Sequence, residues 1–155
     1  MFRFQADDRH YASWKWIPLA EQDEPLPHLD PVAKRILSGD VCNHEGHVVI
    51  PSPLRTCTSI PGVLRISRGT HGRQKKKLMY ECVPDNPGLP RFLVGRAPKP
   101  TGFSKLKRDV YILFRLIRWD EGNAHPIGEC TETLGEVDDL AVTYRYLMRC
   151  KGLHY

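Results

Sequence analysis

Two stretches of this chain gather side chains that can hold an anion. The first is "HGRQKKK", in which Arg73, Lys75, Lys76 and Lys77 crowd together, with Arg65 and Arg68 just before it. The second runs through Arg96, Lys99, Lys105, Lys107 and Arg108 and has Phe103 inside it. Cations at this density neutralise phosphates and release condensed counterions, which gives affinity without sequence preference. Aromatic rings beside such a track add base stacking, and Tyr80, Phe92 and Phe103 are the candidates. A basic loop is equally what a solvated surface carries, so the pattern needs a scaffold before it means binding.

Two other groupings are weaker. Cys42, His44, His47 and Cys57 are metal-ligand types close in sequence. Their spacing matches no standard zinc pattern, and His47 opens a strand where it can simply face solvent. Glu136, Asp138 and Asp139 could hold Mg²⁺ for phosphodiester chemistry. They sit just before a helix, where capping explains them. There is no Gly-rich phosphate loop, no H-E-x-x-H and no G-x-S-x-G. Nothing in the spacing sets a Cys beside a His as a nucleophile pair. The expectation is a protein without a catalytic site, a metal or a cofactor.

The elements that must position these residues are short. The chain has 155 residues, with 13 Pro and 12 Gly among them. That is enough for one domain with appended segments, and the Pro and Gly content implies frequent turns. Its net charge of +5 favours an anionic partner. Five Cys, an odd number, follow a polar N-terminus, which predicts reduced thiols and an intracellular setting, cytoplasmic or nuclear. No stretch approaches the roughly 20 apolar residues of a membrane span.

Residues 1–28 read as an arm, with alternating Trp14 and Trp16 and a Pro-rich acidic linker that breaks any regular element. Asp30, Pro31 and Gly39 predict a short helix over 30–39. From residue 46 to about 119 the pattern is strand-like. The clearest strand is Val110–Trp119, which puts Val110, Ile112, Phe114 and Leu116 on one face at period two. A helix is expected over 138–150, with Leu140, Ala141, Tyr144, Leu147 and Met148 sharing one apolar face. Short strands with Gly/Pro turns suggest a barrel or a sandwich.

Six landmarks occur in order: "GHVVI" at 46–50, "GVLRI" at 62–66, "VPDNPGLPRFLV" at 83–94, "DVYILFRLIRW" at 109–119, "IGECTETLG" at 127–135 and the helix beginning near Asp138. In this order they resemble the second cold-shock domain of RNase II/RNB-family 3′-to-5′ exoribonucleases of the exosome-related type. The resemblance implies a mainly β, OB-type five-stranded barrel within a domain spanning 46–155, after an N-terminal arm over 1–45 that carries the short helix. It also implies contact with single-stranded RNA. The family's Mg²⁺-binding aspartates belong to a catalytic domain that would begin where this chain ends. "EVDDLAV" looks like their motif but lies in the segment after the "LG", so nuclease activity is not implied. The competing expectation is a structural subunit of a larger protein or ribonucleoprotein assembly, with the barrel as docking surface and the Trp14/Trp16 arm as clamp.

Overall fold

The computed structural model describes residues 1–20, 30–69, 73–74, 77–95 and 108–152. Among these, ten strands and one helix occur in chain order: β1 (Phe2–Ala6), β2 (Trp14–Pro18), β3 (Val41–Cys42), β4 (Val48–Ile50), β5 (Ile60–Leu64), β6 (Arg73–Gln74), β7 (Lys77–Pro84), β8 (Phe92–Gly95), β9 (Val110–Arg118), β10 (Ile127–Glu136) and α1 (Leu140–Cys150). Strands β5-β9-β10-β8-β7 form a sheet in that order, and a β5–β7 pairing closes it into a five-stranded barrel. The β8–β10 pair is parallel and the other barrel pairs are antiparallel. This is the mixed, closed topology of an OB fold.

The alternation in β9 drives closure. Ile112 and Phe114 are fully buried, and Val110 and Leu116 pack against the same core. Phe114 meets Phe92 of β8 edge to face at 4.9 Å, the geometry aromatic quadrupoles favour. Gly62 in β5 allows this approach: a Cβ there would lie 2.8 Å from the Phe114 ring and 2.9 Å from the Cys82 sulfur. The outward side of β9 is covered by α1, where Tyr111 and Tyr146 stack at 4.1 Å and Leu113 packs with Leu134 and Val142. Asp139 caps the helix by accepting hydrogen bonds from the Ala141 and Val142 amides. The helix therefore docks through Val142 and Tyr146. The expected face is wrong, since Leu140, Ala141, Tyr144 and Leu147 are exposed and Met148 is only partly covered.

The N-terminal segment is no arm. Phe2, Phe4 and Ala6 alternate inward along β1, and β2 pairs back on it with Phe4 opposite Trp16. With β3 and β4 these strands make a second sheet, ordered β2-β1-β3-β4. The helix expected over 30–39 is a single turn. The Asp30 carboxylate accepts from the Val32 and Ala33 amides as a cap would. Arg35 then adopts φ +55°, ending the turn before a helix can propagate. Ile36 and Leu37 leave it fully buried. Burying those two side chains outweighs the modest local preference for helix. One hydrophobic cluster joins Phe4, Tyr11, Ile36 and Leu37 to Ile60, Phe92, Phe114 and Trp119, so the small sheet and the barrel share a core. The boundary expected at 45/46 falls in the turn between the paired strands β3 and β4.

Candidate nucleic-acid interface

The strand registers decide where the basic stretches start. Leu64, the last residue of β5, lies opposite Val110, the first of β9. Met79 near the start of β7 lies opposite Gly95, the last residue of β8. Residues 65–76 and 96–109, the β5–β7 and β8–β9 connections, therefore leave the same end of the barrel. Asp109 ties their roots together. Its Oδ1 accepts hydrogen bonds from the Ser67 amide at 2.9 Å and the Ser67 hydroxyl at 2.7 Å. Its Oδ2 lies 3.0 Å from Arg65 Nε.

Arg65 thus faces a carboxylate within the scaffold and positions the loop root. Arg108 is similarly engaged, with Glu136 at 3.4 Å and Asp138 at 3.5 Å. This corrects the reading of the acidic cluster: Asp139 is the cap, whereas Glu136 and Asp138 serve as counter-charges for Arg108. Arg68 ends a short 3₁₀ turn, and Arg73 and Lys77 lie on β6 and β7, where the pairs Arg73–Leu78 and Gln74–Lys77 form a hairpin. Lys75, Lys76, Arg96, Lys99, Phe103, Lys105 and Lys107 lie outside the described residues.

Two expected stacking rings are misplaced. Phe92 is fully buried and Tyr80 nearly so, and both belong to the barrel core. Tyr80 pairs with Val94 and Phe92 with Cys82. Strand parity sends all four inward, so neither ring is available to a base. The other parity of β7 and β8 carries Glu81, Val83 and Leu93. Glu81 accepts from Arg91 Nη1 at 2.8 Å, a pair that the basic-residue pattern did not reveal because both partners sit in apolar or Pro-rich surroundings. The face of β7–β8 thus presents an ion pair where rings were expected.

The opposite end of the barrel is sealed by the small sheet. Arg9 donates to the Pro84 carbonyl at 2.8 Å and to that of Asp85 at 3.1 Å. Ser38 links the two parts, accepting from the Ala6 amide and donating to the Gly88 carbonyl. Tyr11 and Trp119 meet edge to face at 6.5 Å.

The residues weighed as metal ligands are spread over other tasks. Cys42 is fully buried, and burial pushes its thiol up to about 11. His44 stands edge-on to Phe2 at 5.4 Å, and His47 lies 3.5 Å from Glu45. Among the described residues no three His, Cys, Asp or Glu side chains converge as a metal site requires. All five cysteines are free. No helix among the described residues is long and apolar enough to cross a membrane.

With a closed mixed barrel, a parallel β8–β10 pair and a capped helix after the last strand, the chain can be set beside known families. Residues 80–150 match the Dis3-like cold-shock domain 2. The match runs from Tyr80 in β7 to Cys150 at the end of α1 and so contains β8, β9 and β10 complete. Strand β5 and the N-terminal sheet lie outside it. The matched model describes the OB domain of RNB-family exoribonucleases, to which the landmarks in the sequence are also similar. No curated protein matches the chain.

Proposed function

We propose that this protein is a non-catalytic module that binds single-stranded RNA through its cold-shock barrel. The observation that carries this reading is the Asp109 clasp: two cation-rich connections rise from one end of an OB barrel with their roots held together by Arg65, Ser67 and Asp109. OB folds take oligonucleotides across the face of their second and third strands and the adjoining loops. Here those strands are β7 and β8, and the connection before β7 is one of the two basic ones. Phosphates would be held at this end by Lys75, Lys76, Lys77, Arg73 and the cations of 96–107. Phe103 is the remaining stacking candidate. Five unpaired thiols fit a reducing, intracellular compartment, cytoplasmic or nuclear.

The test is a salt titration of binding to single-stranded and double-stranded RNA. Single-stranded RNA should bind more tightly. Replacing Lys75, Lys76 and Lys77 with Ala should weaken binding and flatten the salt dependence by about 0.7 per lost phosphate contact. Equal affinity for the parent and the triple variant at every salt concentration would sink the reading. Incubation with Mg²⁺ or Mn²⁺ should leave a labelled oligonucleotide intact. Trimming that disappears on Asp138→Asn or Asp139→Asn would overturn the non-catalytic assignment.

A second reading, a docking subunit within a larger assembly, is favoured by one feature. Leu140, Tyr144 and Leu147 stand 83%, 61% and 51% exposed on α1. Their spacing of three and four places them side by side on the helix surface. That reading gains if the triple variant proves neutral.

A further inference from the structure

A cleft of about 370 Å³ lies away from the basic loops, where the small sheet meets the sealed end of the barrel; Lys34, Arg35, Val48, Pro51, Arg55 and Trp119 line it. Three of its six lining residues are cations. Arg55 is held in place by buried Asp40, which accepts from Nε at 2.9 Å and from Nη2 at 2.6 Å, while Nη2 also donates to the Arg35 carbonyl at 2.9 Å. Its other terminal nitrogen makes no hydrogen bond among the described residues. Arg35 donates from Nη1 to the Trp119 carbonyl at 3.2 Å. Among the described residues, neither Lys34 nor Arg35 pairs with a carboxylate. Of the three cationic charges Asp40 offsets one, and the described residues leave the other two uncompensated.

The backbone sets up this arrangement at a cost. Arg35 is held at φ +55°. Residues other than Gly, Asn, Asp and His rarely adopt such a conformation. Strain of this kind persists where surrounding structure enforces it, and it clusters at ligand sites. The remaining lining residues, Val48, Pro51 and Trp119, have largely apolar side chains, and Val48 is exposed. Convergent guanidinium and ammonium donors beside an apolar wall fit a phosphate attached to a flat organic group.

We infer that this cleft is a second anion site, separate from the basic loops, that takes the phosphate of a nucleotide, either a free mononucleotide or the terminal phosphate of an RNA strand. The two sources share the phosphate and differ in the length of chain attached to it. The site stands on residues 34–55 and Trp119, so it does not depend on the loop-binding reading.

The experiment uses the full chain. Calorimetry compares AMP with adenosine, and anisotropy compares an oligoribonucleotide carrying a 5′- or 3′-phosphate with the same strand ending in hydroxyls. At least one phosphorylated ligand should bind about tenfold more tightly than its counterpart, as loss of one charge-assisted hydrogen bond implies. A gain with AMP assigns a free nucleotide, and a gain confined to the oligonucleotide assigns a strand end. Lys34→Glu, at an exposed position, should abolish the gain. Arg35→Gly, which suits the left-handed backbone, should reduce it. The Lys75/Lys76/Lys77 triple-Ala variant should retain it even as overall RNA affinity falls. The inference is overturned if no phosphorylated ligand gains, if the gain survives Lys34→Glu, or if the triple variant removes it.

Discussion

The two ends of the barrel are built from different forces. At the sealed end, several polar groups are buried and satisfied by near neighbours, although Trp16 Nε1 is buried without a partner among the described residues. Asp40 is fully buried and accepts from the Leu37 amide at 2.8 Å, the Ser52 amide at 2.7 Å and Arg55. The Tyr11 hydroxyl donates to the Ile36 carbonyl at 2.8 Å, and Trp119 Nε1 donates to the Asn123 carbonyl at 2.9 Å. At the open end, contacts are ion pairs near solvent, such as Arg108 with Glu136 and Asp138. Exposed pairs of this kind are worth about 0–1 kcal/mol and are screened by salt. The contrast teaches why the cation-rich connections emerge where they do: their like charges repel one another least expensively at the end that the core does not depend on.

Several changes would break or sharpen that contrast. The largest effect is expected from Asp40→Ala, which leaves Arg55 uncompensated and two buried amides without an acceptor. It should cost about 3–5 kcal/mol in chemical denaturation. Asp109→Ala, the corresponding change at the open end, should cost about 1–2 kcal/mol, because the Ser67 amide and hydroxyl lose their acceptor and Arg65 its counter-charge at a site water can reach. Equal costs for the two would erase the distinction between the ends.

A pH scan separates them in another way. Burial raises the Cys42 thiol from 9.0 to about 11 in the folded protein, and it raises Cys82 and Tyr11 as well. Each of these groups is neutral when protonated, so a raised folded value means stability that is fully present below the unfolded value. For Cys42 that contribution should be intact to about 9.0 on the pH scale and lost as pH rises through about 11. Thermal midpoints should fall across this window, and Cys42→Ala should blunt the fall. The smallest effects lie on exposed surface. The Lys75/Lys76/Lys77 triple-Ala variant and Leu140→Ser should each shift unfolding by no more than about 0.5 kcal/mol. A larger shift for Leu140→Ser would mean that the exposed side of α1 is covered in solution.

The sequence by itself determined β9, because Val110, Ile112, Phe114 and Leu116 alternate without interruption and only one register buries them. It also determined the span of α1 to within two residues, since Asp139 and Gly152 bracket one apolar helical stretch. It did not determine which side of α1 docks. Two apolar stripes run along that helix, and the choice falls to Val142 and Tyr146 through a ring on another strand and through Gly135, where a Cβ would lie 2.7 Å from Val142. Strand β10 was hidden in the same way: its ladder with β9 shifts register at three places, which blurs the period-two signal. Parity within β7 and β8 likewise drew Tyr80 and Phe92 inside, although as residue types they suited stacking. The N-terminal sheet was hidden because its strands are short and its partners distant. Phe2, Phe4 and Ala6 alternate plainly, yet β1 gains its second neighbour only when Val41 and Cys42 arrive from beyond the turn at Arg35. Composition and period marked which side chains favour leaving water. Contacts between residues far apart in the chain decided which neighbour each would meet, because the energy that selects among equally apolar faces comes from packing that no local window contains.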